Sequence, residues 1–144
     1  MAFRTTNYIA YGDRNALINS RDITVAETLT DVDSGKVLVL NGTEGAAINL
    51  PALKKGLNFE FVVGKAFTTS NYVINTADAE DLINGIIVSG AETPEGLKVV
   101  DKVKVTLTHA NSVEGDNVKF VADPENEQWL VTGSFATNGG MTAA

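Results

Sequence analysis

His109 is the only histidine of a 144-residue chain, and it stands between Thr108 and Ala110 at the end of an alternating strand pattern. Acid–base and nucleophilic chemistry at neutral pH draws on histidine, cysteine or carboxylates held apart in a pocket. The chain has no cysteine, and no serine lies in a Gly-x-Ser-x-Gly turn, so His109 reads as a structural or exposed residue. Asp78, Glu80 and Asp81 form the best carboxylate cluster and could offer oxygen ligands to a hard cation such as Ca²⁺. They lack the Asp-x-Asp-x-Asp-Gly spacing of a built loop and read as a solvated corner. Asp31 and Asp33, just before Gly35, read as turn residues. None of the glycine-bearing stretches has the spaced glycines and Lys-Ser/Thr of a phosphate cradle. The expectation is therefore a protein that is not an enzyme and carries no cofactor and no metal.

Trp129, the sole tryptophan, lies in "QWLVTG", where it shares one strand face with Val131 while Leu130 shares the other with Gln128 and Thr132. That pattern expects a core aromatic in the last strand. The competing reading is a sugar-stacking platform, for which Tyr72 is the one further candidate.

A formal net charge of −7 argues against a phosphate backbone as partner. No apolar run approaches the roughly 20 residues that cross a bilayer, and "MAFRTTNYIAYGDRN" does not read as a secretory signal. A soluble protein with neither nucleic-acid nor membrane partner is expected, and the missing cysteines suit a reducing cytosol. The charge is unevenly placed. All three arginines, Arg4, Arg14 and Arg21, fall in the first 21 residues beside one acid, Asp13, leaving eight lysines against seventeen acids in the rest. With Phe3, Tyr8 and Tyr11 they make the aromatic and guanidinium set enriched at protein interfaces. Residues 1–21 therefore read as an extended N-terminal interaction arm, with Phe3, Arg4, Tyr8, Tyr11, Arg14 and Arg21 as its partner-binding residues. Its positive charge would steer it to an acidic neighbour, either a second copy or another protein.

The elements behind these residues are strands. From Asp22 onward, apolar runs such as "KVLVLNG", "LNFEFVVG", "NYVINTA", "IIVSG", "VKFVAD" and "QWLVTGSF" recur between Gly, Asn and Asp corners. Short strands at spacings of about eight to twelve residues signal an all-β sandwich or barrel. "KVLVLNG" is apolar enough to expect burial on both faces. "PALKKG" expects a short helical turn, with Pro51 at its start and Gly56 past its end, and "AEDLI" is the one other helical candidate. "LKVVDKVKVTLTHA" expects one or two strands. The fold expected is all-β, a single antiparallel sandwich or barrel-like domain over residues 22–136, followed by a flexible tail at 137–144.

The strand-and-corner sequence from Asp33 to Lys36, through Leu50–Gly56 and Phe59–Val63, then Gly115–Val118 and Trp129–Gly133, resembles tailed-bacteriophage structural proteins. The likeness is greatest to the head decoration, or cement, proteins of cyanophages. It covers residues 30–135 and leaves the arm outside. The resemblance implies a non-enzymatic homotrimer on the capsid surface of the virion, clamping neighbouring capsomers by binding the major capsid protein. Phage tail and fibre modules share the Trp-x-Val-x-Gly ending and supply one alternative, and a carbohydrate-binding sandwich supplies another.

Overall fold

Side chains alternate between the two faces of a strand, and here the alternation is clean. In Asn58–Val63, Phe59, Phe61 and Val63 are buried, while Asn58, Glu60 and Val62 are half-buried on the opposite face. The computed structural model describes residues 19–91 and 96–144. Among the described residues there are twelve strands: β1 (Ser20–Ile23), β2 (Glu27–Thr28), β3 (Val37–Leu40), β4 (Ala47–Asn49), β5 (Asn58–Val63), β6 (Tyr72–Asn75), β7 (Leu82–Ser89), β8 (Leu97–Lys102), β9 (Lys104–Leu107), β10 (Asn117–Asp123), β11 (Gln128–Phe135) and β12 (Met141–Ala143). Two short 3-10 turns, Asp31–Asp33 and Pro124–Asn126, are the only helical elements among the described residues.

The strands form a seven-stranded sheet ordered β1-β3-β5-β10-β11-β7-β8 and a five-stranded sheet ordered β12-β9-β6-β4-β2. One core fills the space between them. Phe59, Phe61, Phe120 and Trp129 from the larger sheet meet Ile48, Tyr72, Ile74 and Leu107 from the smaller, all fully buried. Phe61 meets Phe120 edge-on at 5.9 Å and Phe67 meets Tyr72 edge-on at 4.8 Å, the geometry that ring quadrupoles prefer.

The all-β sandwich is as expected, but its strands are mixed rather than antiparallel. The first six strands visit the two sheets alternately, so each return to a sheet runs in the same direction as the last visit. β1, β3 and β5 are accordingly parallel neighbours, as are β2, β4 and β6. This half of the chain winds as a parallel coil. β10 and β11 form an antiparallel hairpin against β5, and β7 joins β11 in parallel.

Several local expectations are corrected. "PALKKG" forms no helix: six residues cannot offset the cost of a helical nucleus, and the chain instead turns tightly with Gly56 at φ +93°. "AEDLI" runs straight into β7 at Leu82. β3 is buried on one face only, because Val37 and Val39 look outward from the sandwich. "LKVVDKVKVTLTHA" makes two strands, within the expectation of one or two, and they belong to different sheets. Finally, the tail is no loose end. Thr108 Oγ1 donates to Gly139 O at 2.6 Å, Ser112 Oγ donates to Gly140 O at 2.9 Å, and β12 pairs with β9, burying Met141.

Candidate interaction surfaces

Arg21 belongs to the body, not the arm. It lies in β1 on the same side as the buried Ile23 and points between the sheets. Its Nε donates to Asp33 Oδ1 at 2.9 Å, and its two terminal nitrogens donate to the carboxylate of Glu27 on β2 in the opposite sheet. Asp33 also accepts from Thr30 N at 3.1 Å and faces Lys36 Nζ at 3.6 Å. Partial burial works to raise the Asp33 pKa, but the hydrogen bonds from Arg21 and Thr30 and the charges of Arg21 and Lys36 outweigh it and hold the carboxyl below its ordinary value. Glu27, opposed by partial burial and joined by Asp33, raises Arg21 further above its already high value. The remaining proposed arm residues, Phe3, Arg4, Tyr8, Tyr11 and Arg14, lie outside the described residues.

The sugar-platform residues are interior. Trp129 is fully buried against Phe59, with ring centroids 5.9 Å apart, and its Nε1 has no hydrogen-bond partner. Tyr72 is fully buried and its hydroxyl accepts from Gly42 N at 3.0 Å. Burial raises its pKa against that hydrogen bond. Neither ring has a face to offer a ligand.

His109 is exposed, its backbone N–H and its Nδ1 both meeting Asn71 Oδ1, at 2.9 and 2.8 Å. Asp81 is held above its ordinary value by burial and by the neighbouring charges of Asp78, Glu127 and Glu80. Among the described residues no group of three His, Cys, Asp or Glu side chains is placed to hold a metal ion. Of two open clefts, one of about 350 Å³ is lined by Val88, Glu114, Asp116 and Phe135. Both carboxylate oxygens of its buried Asp116 are taken, by Val113 N at 3.0 Å and Ala136 N at 2.9 Å. The other, of about 480 Å³, lies over Thr24, Asn41, Gly42 and Lys65. Asn41 is engaged there with Asp22 at 2.9 Å.

The most distinctive surface was missed by reading strands singly. On the outer face of the seven-stranded sheet, register sets Leu130 beside Val121, and Ile86 and Val88 follow on β7. These four are 42, 42, 60 and 55% exposed, and Val37, Val39 and Val62 continue the face half-buried. The rows through Leu130, Thr132 and Ser134 carry Glu60, Lys119 and Lys98 as charges from β3 to β8, with Glu60 directly opposite Lys119, and Asp101 joins them at the β8 irregularity opposite Asn84. On a chain of net charge −7, this face thus leaves four large aliphatic side chains uncovered among Asn58, Asn84, Asn117, Thr132 and Ser134, with acids and lysines in equal number. Exposed large aliphatic side chains gathered on one sheet face make it a candidate interaction surface.

No family model, no curated protein and no solved structure matches this chain.

Proposed function

We propose that this protein is a capsid decoration protein of a tailed bacteriophage. In this reading it is a homotrimer on the outer surface of the head that binds the major capsid protein and ties adjacent capsomers together. The observation that carries the reading is the outer face of the seven-stranded sheet, where Ile86, Val88, Val121 and Leu130 are uncovered on a strongly acidic chain. A cement protein acts by adding interface area across capsomer boundaries, so internal pressure must break more contacts before the shell yields. An aliphatic face on a rigid sandwich supplies such area at little cost in ordering. The segments that resemble decoration proteins, Asp33–Lys36, Leu50–Gly56, Phe59–Val63, Gly115–Val118 and Trp129–Gly133, build the turns and strands of this body. The arm, with Phe3, Arg4, Tyr8, Tyr11 and Arg14, serves as a strap onto a neighbouring acidic surface. Arg21 is excluded from that set by its partners in the body.

The test is co-sedimentation of purified protein with phage shells that lack it, using wild type, a deletion of residues 1–15, and Val88→Asp with Leu130→Asp. The expected result is saturable binding that weakens at least tenfold in the face variant while its melting temperature holds. Binding equal to wild type in both variants, or no binding to shells at all, overturns the reading. Electron microscopy of whole particles decides between head and tail placement.

A further inference from the structure

Charges on the outer face of the seven-stranded sheet are ordered about a central strand. Register sets five outward side chains on one level: Glu60 on β5, Lys119 on β10, Thr132 on β11, Ile86 on β7 and Lys98 on β8. One flanking level holds Asn58, Val121, Leu130 and Asn84, and ends at Val100 and Asp101 in the β8 irregularity. The other holds Val62, Asn117, Ser134 and Val88. β11 is therefore the middle column, with the acid Glu60 two strands to one side and the cation Lys98 two strands to the other. The exposed aliphatic groups straddle it: Val121 on β10, Leu130 on β11 itself, Ile86 and Val88 on β7, and Val100 on β8.

We propose that in the free protein a second copy of this chain covers the face, the two sheets packing about a two-fold axis that runs along β11. Stacked sheets lie about 10 Å apart with strands within about 30° of aligned, so the rotation lays each column over its counterpart at the same level. Glu60 of one protomer then meets the partner's Lys98, and two-fold symmetry repeats the pair on the other side. Leu130 and Thr132 meet their own copies, Lys119 lays its aliphatic stem over the partner's Ile86, and Asn58 faces the partner's Asp101. The same charges reject the other axes, because like charges set opposite one another cost affinity while complementary ones fix orientation. An axis across the strands at Thr132 sets Glu60, Lys119 and Lys98 each on its own copy. An axis between β11 and β7 sets Lys119 on Lys98, and one along β10 sets Lys119 on itself. An axis along β7 carries β5 and β10 past β8, the last strand of the sheet among the described residues. The pair deepens the capsid reading: it is the stored form, and it opens before the face meets a shell. That opening step rests on the capsid reading, whereas the pair itself does not.

The test mixes two variants of the full chain, Glu60→Lys and Lys98→Glu, each with one charge reversed. In sedimentation equilibrium the wild type should rise from the mass of one protomer towards that of two as concentration increases. Each variant alone should dimerise at least about tenfold more weakly, because it sets two like-charged pairs across the axis. An equimolar mixture should recover wild-type association, since in the mixed pair each reversed charge faces an opposite one. Glu60→Lys also sets two cations opposite one another within the sheet, so melting curves accompany the series. Should it melt early, Lys98→Glu and Leu130→Asp, the latter on the axis itself, should still give monomers at unchanged melting temperature. A wild type that stays monomeric across its soluble range, a folded mixture no more associated than its components, or a dimer indifferent to Leu130→Asp overturns the inference. These measurements use the isolated chain, so their failure leaves shell binding standing, and failure to bind shells leaves the pair standing.

Discussion

Replacing Arg21 with alanine removes the cation that Asp33 Oδ1 and both oxygens of Glu27 face. The Asp33 side chain is 12% exposed, and a hydrogen bond to a charged group at such a site contributes about 1.5–3 kcal/mol. Glu27, at 26% exposure, is better solvated and adds about 0.2–1 kcal/mol. Lys36, 3.6 Å from Asp33, remains and offsets part of the loss. The expected cost is about 2–3 kcal/mol at pH 7, a sizeable share of the 5–15 kcal/mol typical of a domain. It should be read as a lower urea midpoint at unchanged m-value. The acid limb gives an independent check. Asp33 is held below its ordinary value, so its contribution is complete above about pH 4 and is lost as pH falls through its lower folded value. Removing Arg21 removes the leading cause of that depression, and the variant should lose less stability than wild type between neutral pH and acid. A double-mutant cycle with Asp33→Asn should return a coupling of about 1–2 kcal/mol. A loss under about 0.5 kcal/mol, the range of an ordinary surface change, with an unaltered acid limb would refute the network and return Arg21 to the partner-binding set.

Two further outcomes follow from the packing. Trp129→Ala should cost about 3–5 kcal/mol in urea unfolding. Trp129→Phe should cost far less, because it removes a buried Nε1 donor with no partner, whose burial costs about 1–3 kcal/mol; equal losses would contradict the orphaned donor. Truncation after Ala136 should lower the melting temperature and speed amide exchange in β9, since it removes β12, the buried Met141 and the acceptors of Thr108 and Ser112. An unchanged calorimetric trace would mean that the tail frays.

The alternation of Phe59, Phe61 and Val63, the turn glycines Gly35 and Gly56, and the interior side of Trp129 were legible along the chain, because a strand's period and a glycine's positive φ are local properties. The mixed sheets and the exposed aliphatic side chains around Leu130 were not. Each depends on which strand lies beside which, and residues far apart in the chain become neighbours only through register. Arg21 shows the same limit. Its position before the regular strands placed it in an arm by composition, but its partners Glu27 and Asp33 reach it only once β2 and the following turn fold back across the sandwich end. The tail misled in a similar way: small, polar residues suggested fraying, and only the open edge of β9 gives them a strand to join. Sequence alone determined that this chain builds a two-faced β scaffold, because burial of alternating side chains is written locally. Tertiary structure decided which faces and edges are left to bind, because that is a property of pairing between distant segments.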